Sequence, residues 1–378
     1  MSQRILIVGA GFAGAVHARE LAEAGFEVDV IDRRPHIAGN AYDEIAPTGL
    51  RVHRYGPHLF HTNNAQVVDW LARFCAFLPY EHRVEARLAN GAHVPLPINR
   101  DTVNAVFGVN LRTPGEVERF LASQAVPHAS PLNAAQFLES QIGRPLTDLF
   151  FRPYNKKMWA LDLEDISPDI VKRIPVRFDD EARYFPGDRF QGLPRGGYTR
   201  LFESIFDHPH IAVLTGVEFH HGMLREYRHC FNSMAIDEFF EERLGPLPYR
   251  SIRFHHREQP SAPARGTAAQ INFTDDGPFS REIIWDRLPG HRVAPGGSTV
   301  THEEPCDYRD NGNERYYPVK RSDGAEDRTY RQYLTLAGAI GNVTFIGRCG
   351  TYQYLDMHQV INQSLNGVRT WIRNERRW

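Results

Sequence analysis

Residues 4–32 read RILIVGAGFAGAVHARELAEAGFEVDVID, and this stretch decides the fold. RILIV is a continuous apolar run closed by glycine, as a strand buried on both faces requires. AGAVHARELAEAG carries helical periodicity through Ala15, Ala18, Leu21 and Ala22 and stops at Gly25. FEVDVID is a second strand, so the unit is βαβ. Between strand and helix, Gly9, Gly11 and Gly14 stand at G-x-G-x-x-G spacing. The first glycine permits a tight turn and the second lets backbone approach a pyrophosphate. The third allows close helix–strand packing, and the helix N-terminus faces the negative charge. Asp32 ends the next strand, where a ribose hydroxyl needs a carboxylate. Phe12, Ala13 and Arg33 complete this nucleotide-facing set.

Farther along the chain the pattern changes twice. EHRVEARLANGAHVPLPIN holds two strand-like runs around Asn90-Gly91, a strong hairpin signal. From about 101 to 172 the pattern is helical, with Ala135, Leu138, Ile142 and Leu146 on one stripe. YRSIRFHHR, AAQINFTDDGPFSREIIWD and STVTHEE read as antiparallel strands. VTFIGRCGTYQYLDMHQVINQSLNG then returns to strand, glycine turn and helix. The expected fold class is α/β: an FAD-binding, Rossmann-like domain of the two-dinucleotide-binding-motif type, with an inserted helical domain and an antiparallel β-sheet domain. The expected boundaries are 1–78, 195–243 and 336–378 for the first, 99–172 for the second, and 79–98, 173–194 and 244–335 for the third.

Composition narrows the function. The chain has 378 residues, 24% of them charged, and a net charge of −2, so no general attraction to nucleic acid or membrane is expected. Cys75, Cys230, Cys306 and Cys349 are scattered without CxxC spacing, which suits reduced thiols. A strand that opens at Arg4 and apolar runs too short to span a bilayer lead to the expectation of a cytoplasmic protein. FAD is favoured over NAD by RRPHIAGNAYD after Asp32, with Gly39-Asn40 as a second cofactor turn, and by Gly347 and Arg348 near the C-terminal end. Only one G-x-G-x-x-G occurs, so no separate nicotinamide domain is expected.

RYGPHLFHT, residues 54–62, places His58 and His61 three apart behind Gly56-Pro57. A metal site needs further ligands at compatible spacing, none stands nearby, and no metal is expected. FFRPYNKKMW supplies Phe150, Phe151, Tyr154 and Trp159. Together these rings offer a planar base an aromatic face, as substrate-binding residues would, whereas Phe150 and Phe151 read alone end an amphipathic helix and belong to a core. Asp356, after Leu355, reads alone as a helix cap.

With VGAGFAG, GNAYD, YGPHLFHT, FFRPYNKKMW, RIPVR, RYFPGDRFQGLPRGGYT, YYPV and GRCGTYQYLDM in this order, the chain resembles the UDP-galactopyranose mutase family nearly end to end. The resemblance implies a non-redox use of FAD. Reduced flavin N5 acts as nucleophile at the anomeric carbon of a nucleotide-linked hexopyranose, which recloses as a furanose. NAD(P)H is the implied reductant, and galactofuranose for cell-surface polysaccharide the implied product. Arg173 and Arg281 correspond to the arginines that grip the diphosphate, Arg173 on a mobile loop; forked guanidiniums suit phosphate oxygens. Tyr184, Tyr317 and Tyr354 correspond to its phosphate-contacting tyrosines. Tyr154 corresponds to the residue that stacks on uracil, Trp159 to one near the substrate, and Asn272 and Asp356 to polar residues of the sugar site. Gly56, Pro57, His58 and His61 correspond to the wall of the isoalloxazine, with Tyr354, Asp356 and Met357 on its other side. The implied partner is UDP-galactose or a related NDP-hexose, and the implied assembly a homodimer or higher oligomer. A conventional FAD oxidoreductase of the amine-oxidase type shares the fold but has no use for paired diphosphate arginines.

Three stretches depart from the family pattern: EIIWDRLPGH after Arg281, His358 where Asp is common, and HCFNSMAIDEFF. The first two are expected where sugar and flavin meet, and to bear on which nucleotide sugar is taken.

Overall fold

The computed structural model describes residues 4–172, 174–321 and 323–376. Its first layer is a five-stranded parallel sheet in the order Ile211–Thr215, Glu27–Asp32, Arg4–Val8, His229–Asn232, Val343–Phe345. The chain leaves Arg4–Val8 toward one edge and returns on its other side at His229–Asn232. The C-terminal ends of these two neighbours therefore form a switch point, where open α/β sheets bind ligands. Helix Phe12–Glu23 packs between this sheet and the C-terminal helix Met357–Glu375. Its alanines at 15, 18 and 22 are buried and allow the close approach. Gly25, with φ +94°, ends the helix.

The second layer is a seven-stranded sheet in the order Tyr317–Pro318, Tyr249–Gln259, Ser298–Asp307, Arg281–Ile284, Gln270–Phe273, Val84–Arg87, His93–Leu96. The hairpin expected at Asn90-Gly91 forms, with Val84 opposite Leu96 and Gly91 at φ +82°. Gln270–Phe273 pairs antiparallel with Arg281–Ile284 but parallel with Val84–Arg87, so this sheet is mixed. The helices between 100 and 172 lie on one face of it. Val103, Val117, Leu121, Leu138 and Ile142 share a core with Ala86, Val94 and Ile252 of the sheet.

The stripe through Ala135, Leu138, Ile142 and Leu146 is buried, but the helix that carries it is not regular. Gly143 sits at φ 73°, ψ 169° and breaks the helix, because Pro145 follows and lacks an N–H. A Cβ at Gly143 would lie 2.4 Å from the Gln124 carbonyl oxygen. A π-helical turn, Thr147–Phe151, restores the path and leads into helix Arg152–Trp159. Such turns rotate the face a helix presents. Among the described residues no helix is long and apolar enough to cross a membrane.

Candidate active site

Two cavities meet end to end between the layers. The first, about 330 Å³, lies over the switch point and is lined by Gly9, Gly11, Phe12, Ala13, Asp32 and Arg33. Gly39, Asn40, Gly347, Arg348 and Met357 line it too. Gly9 has φ +101°, and a Cβ there would stand 1.9 Å from Ser233 Oγ. A Cβ on Gly14 would stand 1.9 Å from the Gly9 carbonyl oxygen, so Gly14 serves helix–strand packing and does not line the cavity. A Cβ on Gly11 would meet only Gly39 Cα, at 3.7 Å, so the space above this helix start is open. No side chain caps the helix there. Asp32 ties the turn together, accepting from Ala10 N–H at 2.8 Å and Arg34 N–H at 2.9 Å. Beyond it Arg34 donates to Asn40 at 2.9 Å and lies 4.3 Å over the Tyr55 ring.

The second cavity, about 380 Å³, is roofed by the irregular helix and floored by the mixed sheet. Phe150, Phe151, Tyr154 and Trp159 fall on one stripe of the helix and all line it, as do Asn155 and Met158. Phe150 and Phe151 are both core and wall, each 7% exposed. Arg250 reaches up from the sheet to the carbonyls of Lys157 and Met158, at 3.1 and 3.0 Å, and so fixes the end of the helix that bears Trp159. Tyr317 and Tyr354 stack at 5.3 Å, and Trp159 meets both edge-on. Tyr184, Asn272, Arg281, Asp356, His58 and His61 complete the predicted lining, while Arg173 lies outside the described residues.

Two largely buried cations face this space. Arg281 donates from Nε to Glu303 Oε2 at 2.5 Å. Burial alone would lower the Arg281 pKa, but the charge of Glu303, with Tyr154 and Tyr317 nearby, holds it well above the usual value. Arg348 donates to the Leu355 carbonyl and sits 5.2 Å from the Tyr317 ring and 5.3 Å from that of Tyr354. Among the described residues it has no carboxylate partner. A buried cation without a counter-charge favours an anionic ligand.

The cavities join at His58, Tyr316, Arg348 and Met357, which line both. The state of His58 follows from its bonds. Its Nδ1–H donates to the Gly56 carbonyl at 2.9 Å, leaving the Nε2 lone pair free for a ligand. Its backbone N–H donates to His53 Nδ1 at 2.9 Å; His53 Nε2 then donates to His291 Nε2 at 3.1 Å, and His291 Nδ1 to the Pro289 carbonyl at 3.1 Å. Burial pushes His58 and His291 down to about 4 and His53 well below its ordinary value, so the whole relay is neutral. Gly56 is needed behind it, since a Cβ would stand 2.8 Å from both Glu303 Oε1 and Phe254. His61 takes another course: Nδ1 pairs with Asp188 Oδ2 at 2.6 Å and the ring stacks on Phe185 at 3.6 Å.

A family model for UDP-galactopyranose mutase matches residues 149–354, and one for a NAD(P)-binding Rossmann-like domain matches 7–74. A probable UDP-galactopyranose mutase of Klebsiella pneumoniae is 36% identical over 96% of this chain and 93% of its own. The chain belongs to the UDP-galactopyranose mutase family. Its members are isomerases. The family also includes a dTDP-fucopyranose mutase of Escherichia coli, 34% identical over 99% of each chain. A crystal structure of reduced UDP-galactopyranose mutase shares the fold, with TM-score 0.72 and 17% identity over 98% of this chain and 94% of its own.

Membership in the UDP-galactopyranose mutase family throws one departure into relief. Residues 282–291, expected near the sugar, line neither cavity. Glu282, Ile283, Ile284 and Trp285 are buried in the sheet, and His291 props the histidine relay. Strand alternation turns Glu282 and Ile284 to the opposite face from Arg281, while Ile283 shares its face but is buried outside the cavity lining. His358 does line the second cavity, and Ser233, Met234, Ala235 and Glu238 of the third departure line the first. Sequence reasoning missed His82, Phe185 and Gln270 of the second cavity, and Arg34, Glu314 and Arg315 of the first. It also missed Glu303 and Asp188, which hold Arg281 and His61. The spacing within STVTHEE carries no sign of Glu303's partner; only the register opposite Arg281 reveals it.

Proposed function

We propose that this protein is a flavin-dependent mutase interconverting a nucleotide-linked hexopyranose and hexofuranose, with UDP-galactose or a close relative such as dTDP-fucose as substrate. The observation that carries this reading is the junction of the two cavities: a dinucleotide cradle opens directly into a pocket of aromatic rings and a buried arginine. FAD fits the first cavity, with Asp32 at its adenosine end, its diphosphate over Gly11 and the uncapped helix start, and Arg348 as a counter-charge. Bound and reduced, FAD supplies N5 as a nucleophile for the anomeric carbon without net redox change.

The chain's own residues hold and orient the substrate. Arg281 and Arg173, with the hydroxyls of Tyr184, Tyr317 and Tyr354, bind the nucleotide diphosphate as it leaves and returns. Tyr154 and Trp159 hold the base against an aromatic face. Asn272 and Asp356 bind the hexose. Neutral His58 presents Nε2 as an acceptor at the junction, and the Gly56 carbonyl fixes that tautomer while the relay holds the His58 backbone. Because residues 282–291 line neither cavity, discrimination among sugars falls to His82, Gln270, Asn272 and His358. NAD(P)H is the reductant, the assembly a homodimer or higher oligomer, and the setting cytoplasmic.

The test is to incubate flavin-loaded, reduced protein with a panel of nucleotide hexofuranoses that includes UDP-galactofuranose and dTDP-fucofuranose, and to separate products by chromatography. Conversion of either to its pyranose supports the reading. No conversion across the panel overturns it.

A further inference from the structure

A histidine in the first part of the chain and another near its end meet only in the fold. A ligand atom from each of His61, Asp356 and His358 lies within 4.8 Å of the others. Two strands and a helix bring them together. His61 sits on the short strand Phe60–Thr62, paired with Phe190–Pro194, while Asp356 and His358 flank the first residue of the last helix. We propose that these three side chains form a divalent transition-metal site, best suited to Zn²⁺, whose occupation shuts the nucleotide sugar out of the second cavity. The exclusion rests on the mutase reading; the metal site does not.

The ligand chemistry is that of an open zinc site: two imidazoles and a carboxylate, with one position left for water. His61 is already set for it. Its Nδ1 is engaged with Asp188, so Nε2 is the nitrogen left for an ion. Asp188 is held in turn by Asn63 Nδ2 at 2.7 Å, and Phe185 stacks on the ring. This is the carboxylate–histidine arrangement that fixes the tautomer and raises the basicity of metal-bound imidazoles. His358 has a buried Nδ1 with no hydrogen-bond partner, beside the edge of the His61 ring at 5.4 Å. Ligands of a tetrahedral ion stand about 3.3 Å apart, so a modest rotation of His358 closes the site.

The ion and the dinucleotide are neighbours, not competitors. His61, Asp356 and His358 line only the second cavity, whereas Met357 between them lines both. An ion here stands where Asp356 would meet the hexose.

The experiment uses the FAD-loaded protein, titrated with Co²⁺ as an absorbing probe and then with Zn²⁺ in competition by calorimetry. One Co²⁺ per chain with tetrahedral d–d bands, displaced by Zn²⁺, is expected. His358→Gln should weaken binding at least about tenfold, and Asp188→Asn by about tenfold to a hundredfold although it touches no metal. Unchanged affinity in both variants would assign the ion to others among the 18 histidines and overturn the site. Zn²⁺ should raise the KM for the furanose substrate in the wild type and not in His358→Gln; inhibition that persists in the variant overturns the exclusion. If no nucleotide sugar is turned over, the mutase reading fails while the Co²⁺ spectrum still decides the site. Flavin absorbance of each variant separates loss of a ligand from loss of the fold.

Discussion

Arg281 and Glu303 face each other across neighbouring strands, and Nε donates to Oε2 at 2.5 Å with the Glu303 side chain fully buried and that of Arg281 17% exposed. Burial pushes the Glu303 carboxyl up, and its Oε1 has no hydrogen-bond partner, so the pair is costly without a ligand. The Glu303→Gln variant leaves Arg281 without a counter-charge. We expect a loss of about 3 kcal/mol in the free protein. UDP should recover much of it, because the diphosphate supplies the missing charge. Denaturant unfolding with and without UDP measures both. Equal destabilisation in the two conditions would separate Arg281 from the diphosphate.

Arg281→Ala and Arg173→Ala should each abolish turnover while flavin content, read by visible absorbance, stays near that of the wild type. Arg281 lines only the second cavity, so cofactor binding does not depend on it. Loss of flavin from either variant would place that arginine with the cofactor instead.

Two of the loop glycines should respond differently to alanine. Gly14→Ala puts a methyl against the Gly9 carbonyl and should cost about 2–3 kcal/mol of stability with flavin lost as a consequence. Gly11→Ala meets nothing closer than 3.7 Å in the protein, so the apoprotein should unfold at the wild-type denaturant concentration yet bind FAD poorly. An apoprotein destabilised by Gly11→Ala would mean that the cleft above this glycine is not free.

The βαβ unit and its glycine turn were legible because strand, turn and helix are local and each carries its own periodicity. The aromatic stripe at Phe150, Phe151, Tyr154 and Trp159 was legible for the same reason. The break at Gly143 was missed because helical periodicity runs through it; Pro145 was its signal, and the Gln124 backbone that also requires it is met only in the fold. Pairs made across the fold were also hidden. Glu303 meets Arg281, Asp188 meets His61 and His291 meets His53 through strand register and layer packing, and spacing along the chain records neither. The misplacement of residues 282–291 has the same origin: adjacency to Arg281 suggested the cavity, while the strand and the turn after it carry these residues beyond its lining.

Acid should destabilise the fold earlier than carboxylate titration alone. Burial pushes His17 and His291 down to about 4 and His82 to about 3, against an ordinary value of 6.5. Between those values the unfolded chain binds protons that the native protein does not, so stability falls as pH drops from about 6.5 toward 4. Each such histidine contributes a slope of about 1.4 kcal/mol per pH unit. Denaturant unfolding at several pH values should show this slope, shallower by one histidine's share in His291→Gln. A flat profile through the window would contradict the buried, neutral relay.

The central claim is that the flavin serves this reaction without net oxidation or reduction. The measurement is anaerobic turnover of a nucleotide hexofuranose by dithionite-reduced protein, with the flavin's visible absorbance followed throughout and an oxidised sample run beside it. The account predicts conversion to the pyranose by the reduced protein over many turnovers, with the flavin remaining bleached and the oxidised sample inert. Conversion by the oxidised protein, or reappearance of the flavin band in step with product, would contradict it.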